Sequence, residues 1–364
     1  MASRVWLSLI AVFSLAVSCV SGVPAHAVTI DWVTVENAGN ANDPATGGVY
    51  GGVAYDYRIG KYEVTIGQYT AFLNAVASTD TYSLYNGSMA TDLNIAGISQ
   101  TGTSGAYSYS VIAASGSAPY GGVSGSNRPI TNVSWWDSAR FANWMANGQP
   151  TGAQNSTTTE NGAYNVNGAT SGTAPAKNVT NPNTSAAPTF FIPTENEWYK
   201  AAYYSPVLNS GSGGYYTYAT QSDSAPGSII GSGTNQANYL INNTFSVTQM
   251  AGVYDATQNY LTDVGAFTNS ASFYGTFDQT GIAFELNDLD GIPGSSRGSR
   301  GGSWGYSFGM SSSNRYTEPT SAEYGSDGFR LASPVAVPEP STWVMGAVGL
   351  ACGGWQMFRR RKRA

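Results

Sequence analysis

Cysteine and histidine are nearly absent from this 364-residue chain, which has 2 of the first and 1 of the second. Cys19 sits in an apolar N-terminal stretch, Cys352 in an apolar C-terminal one, and His26 between Ala25 and Ala27. With both ends read as targeting segments, the region between them holds neither thiol nor imidazole. That excludes structural disulfides, Cys/His zinc sites, cysteine or Ser-His-Asp nucleophilic catalysis and thiolate copper sites, because each needs a side chain that is missing. Charge is scarce as well, at 10% of residues, whereas glycine (44), tyrosine (24) and tryptophan (9) are plentiful.

The two ends explain where the scarce residues went. Arg4 precedes an apolar run from Val5 to Val17, and Ala25-His26-Ala27 puts small residues where a signal peptidase reads. Residues 1–27 therefore read as a signal peptide, with Val28 the first mature residue. At the other end Val337-Pro338-Glu339-Pro340 is followed by an apolar segment, 343–358, and by Arg359-Arg360-Arg361-Lys362-Arg363. A helix of that length spans about 24 Å, somewhat short of a hydrocarbon core of about 30 Å. The basic cluster places its end in the cytoplasm. Residues 337–364 resemble the PEP-CTERM protein-sorting signal. The resemblance implies a Gram-negative, often polysaccharide-secreting bacterium and export through the inner membrane. It also implies exosortase-type sorting machinery as a partner. The destination is the cell envelope, outer surface or extracellular matrix, with transient or stable membrane anchoring through the short transmembrane helix. An ordinary single-span anchor has the same topology and differs in keeping its tail.

Without Arg4, the five terminal basic residues and Glu339, the region from Val28 to Val337 keeps 10 Lys+Arg against 21 Asp+Glu, a net charge near −11. Such a surface argues against nucleic acid and leaves cations or neutral carbohydrate as easier partners.

Three helix starts stand out. Thr65-Ile66-Gly67-Gln68 has the form of a capping box, and Tyr69, Phe72, Leu73 and Val76 follow as one apolar stripe. Ser134-Trp135-Trp136-Asp137 opens a second helix running to about Asn147, with Gly148 as its stop. Thr194-Glu195-Asn196-Glu197, after Pro193, opens a third. Between them the chain is rich in Gly, Ser, Thr and Asn, and residues 148–189 read as a loop insertion. The pattern predicts an α+β, loop-rich fold, since strands and helices do not alternate as a parallel sheet requires.

Four segments in order then resemble one family: Tyr57-Arg58-Ile59-Gly60-Lys61-Tyr62-Glu63-Val64-Thr65, Pro129 to Trp135, Ile192 to Trp198, and Arg300-Gly301-Gly302-Ser303-Trp304 closing with Gly328-Phe329-Arg330-Leu331-Ala332. They look like the formylglycine-generating enzyme, or sulfatase-modifying factor, domain. The resemblance implies that 28–334 forms one domain in that family's variant of the C-type lectin fold. Physically, Trp135, Trp198 and Trp304 are large enough to anchor a loop-rich core, and Glu63, Glu197 and Arg330 read as structural.

Catalytic members of that family hold copper through two cysteines. Here Ser311 and Tyr316 stand at those positions, and neither a serine hydroxyl nor a phenol replaces a soft thiolate, so copper is not expected. The related histidine-held iron chemistry lacks its ligands too. The resemblance also implies structural calcium, with Asn238, the Tyr239 carbonyl, Asp255 and Glu285 as candidate ligands, although Ile282 replaces an asparagine of the motif Gly281-Ile282-Ala283-Phe284-Glu285. Three or four oxygens fall short of the six to eight calcium takes. Asp288-Leu289-Asp290-Gly291 reads as an Asx turn. The expected function is a non-catalytic binding or structural module recognising an extracellular glycan or protein; the alternative is an oxidoreductase or sulfatase activator working without cysteine.

Overall fold

The computed structural model describes residues 27–116, 125–250 and 254–335. Apart from Ala27, the expected signal peptide lies outside them, as does the apolar helix expected over 343–358. Among the described residues no helix is long and apolar enough to cross a membrane.

Each expected helix starts where its cap lies, because a capping box satisfies two otherwise orphaned amides. In α1 (Ile66–Val76) the Gln68 amide donates to Thr65 Oγ1 at 3.3 Å and the Thr65 amide donates to Gln68 Oε1 at 2.9 Å. In α2 (Trp135–Ala146) the Ser134 amide donates to Asp137 Oδ2 at 2.8 Å, and Gly148, at φ +81°, follows the C-cap Asn147. In α3 (Glu195–Tyr203) the Thr194 amide donates to Glu197 Oε2 at 2.7 Å.

Beside three two-stranded ribbons, two larger sheets organise the described residues. In the first, β2 (Tyr57–Gly60) lies between β1 (Trp32–Val35) and β7 (Ala332–Pro334), both antiparallel to it, so the two ends of the described chain flank one central strand. The second has the order β5 (Tyr316–Pro319), β4 (Ser296–Arg300), β3 (Phe284–Asn287), β6 (Asp327–Phe329); its last pair is parallel and the others antiparallel. The main core packs the apolar stripes of α1 and α2 against Leu286 and Phe329 of this sheet. Phe141 meets Phe72 at 5.3 Å and Phe329 at 5.6 Å, both edge to face, the arrangement aromatic quadrupoles favour.

Residues 148–189 hold turns and isolated bridges and no strand or helix. They are nevertheless tied to α2. Glu160 takes a two-pronged bond from Arg140, at 2.8 and 2.9 Å, and Asn143 Nδ2 donates to the Thr159 and Tyr164 carbonyls. Gln149 also clasps Val28, accepting from its amide and donating to its carbonyl, both at 2.7 Å.

Candidate functional site

Side chains alternate along each strand, and facing partners share a side. The register of the four-stranded sheet therefore puts Glu285, Arg300 and Gly328 on one side and Phe284, Leu286, Tyr316 and Asp327 on the other.

The first side is closed by ion pairs. The fully buried Arg330 grips both carboxylate oxygens of Glu285, and its remaining N–H groups donate to the carbonyls of Gly60 at 2.9 Å and Phe277 at 2.8 Å. Trp198 Nε1 donates to the same carboxylate at 2.9 Å. Glu195 accepts from Arg300 at 2.7 Å and from Arg315 at 2.9 Å, while Glu197 caps its helix and takes the Tyr55 hydroxyl. Glu195 and Glu197 thus face different partners. Glu63, buried among these groups with Arg330 Nη2 3.9 Å away, has its carboxyl pushed well above the usual range by burial and then by the charges of Glu285 and Asp278.

Beyond the apolar core, the second side opens into a cleft of about 630 Å³. Its walls are Phe245, Tyr254, Phe284, Trp304, Tyr306, Phe308, Tyr316 and Tyr324, and its acids are Glu318 and Asp327. Trp304 stacks on Tyr260 at 5.0 Å and 4°, Phe284 meets Tyr316 edge on at 5.3 Å, and Tyr306 and Phe308 lie 5.0 Å apart. Tyr306, Phe308 and Tyr324 are 41–50% exposed, so the rings offer free surface. Backbone geometry holds this wall in place. Gly309 has φ +97°, and a Cβ there would come within 2.7 Å of the Phe284 ring, so only glycine lets the loop after Trp304 close onto that ring.

Asp327 is 4% exposed. Burial first, and then the charge of Glu318, raise its carboxyl to about 7, although the Ser326 hydroxyl donates to Oδ1 at 2.8 Å. Burial also raises Glu318 above the ordinary carboxylate range. Among the described residues neither acid forms an ion pair, and no lysine or arginine lines the cleft.

Of the residues singled out from the sequence, Tyr316 lines the cleft, while Ser311 turns to Ser313, their hydroxyls 3.0 Å apart. Met310 is buried against Ala237 and Tyr239. Among the described residues no group of three or more His, Cys, Asp or Glu side chains could hold a metal, and the Ser311 and Tyr316 oxygens do not fit copper.

The calcium candidates each have hydrogen-bond partners within the chain. Both oxygens of Glu285 accept from Arg330 and one also accepts from Trp198, which makes it a buried counter-ion. Asp255 Oδ1 closes a local turn on Thr257, the Asn238 carbonyl accepts from Ile282 at 2.7 Å, and the Tyr239 carbonyl accepts from Ser246. Ile282 sits at φ +61°, a left-handed conformation that asparagine adopts far more readily than a β-branched residue. Asp290 accepts from the Ile292 amide, an Asx turn, and Asp288 pairs with Arg297 at 2.7 Å. Trp304, expected in the core, is a partly exposed cleft wall.

Sequence reasoning missed Glu318, Tyr324 and Asp327. The available signal was the run of aromatics at 304, 306, 308 and 316, too dense and too polar in its surroundings to be core.

Residues 46–335 match the sulfatase-modifying factor enzyme 1-like domain, and residues 336–362 match the PEP-CTERM protein-sorting motif. Among solved structures, CarF is similar at 19% identity and a TM-score of 0.45, over 85% of this chain and 99% of its own. The Treponema denticola variable protein 1 is similar at 17% and 0.45, over 85% and 97%. PvdO from Pseudomonas aeruginosa is similar at 16% and 0.38, over 78% and 82%. No curated protein matches.

Proposed function

The chain belongs to the sulfatase-modifying factor enzyme 1-like family and carries a PEP-CTERM sorting motif, and from these we propose that it is a non-catalytic binding module of the cell surface or extracellular polysaccharide matrix. The α+β, loop-rich fold is that of the formylglycine-generating enzyme variant of the C-type lectin scaffold. The motif marks the protein for export, exosortase-dependent processing and association with the cell envelope.

One observation carries the reading. Tyr316, at one of the two positions where the family places its copper cysteines, lines an open cleft walled by rings. Flat aromatic faces suit the C–H surfaces of a pyranose, and hydroxyl and carboxylate oxygens at the rim suit its hydroxyl groups. Carbohydrate is therefore the ligand class the cleft favours, and on this reading any C-terminal membrane anchorage serves to hold the cleft outside the cell.

Two measurements test the reading. The full chain, incubated with copper and a cysteine peptide of sulfatase origin, is expected to leave the peptide mass unchanged; conversion to formylglycine would overturn the non-catalytic reading in favour of the oxidase alternative. On a glycan array the chain is expected to bind at least one carbohydrate and to lose it in Phe308→Ala; a blank array would remove the ligand class.

A further inference from the structure

Among the described residues the two acids of the cleft have no cation beside them, unlike three acids in and around this sheet. Glu285 has Arg330, Asp288 has Arg297 and Glu195 has Arg300 and Arg315. Arg297 lies directly opposite Glu318 in the ladder, yet its guanidinium is turned away to Asp288 and stacks 4.8 Å above Trp135. Asp327 has the Ser326 hydroxyl and no cation among the described residues. A further carboxylate stands nearby, since Asp92 Oδ2 is 3.4 Å from the point a Cβ on Gly325 would occupy, and Gly325 lines the cleft.

Desolvating an anion is costly unless a counter-charge arrives with the ligand. A neutral sugar bound here would bring no charge to set against Asp327 and Glu318. A cation would compensate both, and the surrounding rings would add to its binding, because an aromatic face attracts an ammonium group. A bare divalent ion fits poorly: calcium needs six to eight oxygens, and the rings supply few. The space also exceeds what an ammonium alone fills.

We propose that the ligand of this cleft is an amino sugar, its protonated amine held at Asp327 in the field of Glu318 and its ring faces laid against Trp304, Phe308 and Tyr316. This rests on the carbohydrate reading above and narrows it to a cationic class. An amine arriving at Asp327 displaces the proton that burial and Glu318 keep there near neutrality, so binding is coupled to proton release.

The test is calorimetric titration of the full chain at neutral pH with three tetrasaccharides of the same linkage: β-1,4-glucosamine, its N-acetylated form and cellotetraose. The glucosamine oligomer is expected to bind at least tenfold more tightly than the other two, and to weaken as salt is raised. Its heat should change between buffers of different ionisation enthalpy, since a proton is released. Asp327→Asn is expected to lose about tenfold in affinity for the glucosamine oligomer, with Glu318→Gln losing less and neither changing the far-ultraviolet circular dichroism. Equal affinity for cellotetraose would overturn the amino-sugar inference and leave the carbohydrate reading standing. Binding of a lysine peptide with no binding of any oligomer would overturn both, as would no binding at all.

Discussion

The two sides of the four-stranded sheet are built from the same strands and hold their charges in opposite ways. On one side Glu285, Arg300 and Arg330 are buried and paired, with the guanidinium of Arg330 also satisfying carbonyls at Gly60 and Phe277. On the other, Glu318 and Asp327 have no cation among the described residues, and they share their space with exposed rings. A buried pair fixes a fold because breaking it is expensive; a buried unpaired acid is itself a cost, retained where something outside the chain completes it. On this sheet, then, paired charge belongs to the closed side and the acids without a cation to the open cleft.

The largest expected effect tests the paired side. Arg330→Met strands Glu285 in the core, and by the behaviour of other buried pairs it should lower unfolding stability by about 3–5 kcal/mol, read by urea denaturation. Adding Glu285→Met should recover most of that loss. A single-mutant loss below about 1 kcal/mol would break the claim that this side is held by its charges.

The next test reads the unpaired side through pH. Asp327 has its carboxyl at about 7 against an ordinary value near 4, so between those values the folded state binds more protons than the unfolded one. Stability is then greatest at the acidic end and falls as pH rises from about 4 through about 7. Asp137, raised to about 7 by burial and then by Glu323, contributes in the same direction. Asp327→Asn is expected to remove part of the slope of melting temperature in that window, and an unchanged slope would remove Asp327 as its source.

These contrasts also show how much was legible in the sequence. Helix starts could be read because a capping box is local chemistry: Thr65, Ser134 and Thr194 each need only a partner three residues on. The family order and the α+β class could be read because the motifs recur in sequence order. The cleft could not, because Phe284, Tyr316 and Asp327 come from three strands that only the register brings to one side. The arginine partner of Glu285 was hidden for the same reason. A carboxylate in a motif says nothing of whether a metal or an arginine 45 residues later takes its oxygens. Ile282 hid a further fact, since a left-handed backbone at a β-branched residue is invisible to pattern.

A smaller effect concerns the edge of the scaffold. Gln149 holds the amide and carbonyl of Val28 at 2.7 Å each, and Val28, at 8% exposure, packs into the main core. Cleavage after Ala27 would turn that amide into an ammonium donating to the same oxygen, a stronger bond. Gln149→Ala is expected to cost the exported protein about 1 kcal/mol in urea denaturation, the usual net worth of such a bond. No measurable cost would mean that Gln149 does not hold Val28 in place.

The smallest change in stability should come from the cleft wall, and there the comparison is sharpest. Phe308 is 50% exposed and touches Tyr306 and Tyr316 at ring distances of 5.0 and 6.3 Å. Removing it opens no enclosed cavity, because the ring already faces water, so the large penalty for emptying a core does not apply. Phe308→Ala should therefore alter unfolding stability by less than about 0.5 kcal/mol, as surface substitutions usually do. The same truncation removes a face against which the ligand lies, so carbohydrate affinity should fall at least tenfold. A protein stable without Phe308 but unable to bind would show the two sides of the sheet to be separable, one for folding and one for recognition. If Phe308→Ala unfolds the chain, the rings are core after all and the distinction fails.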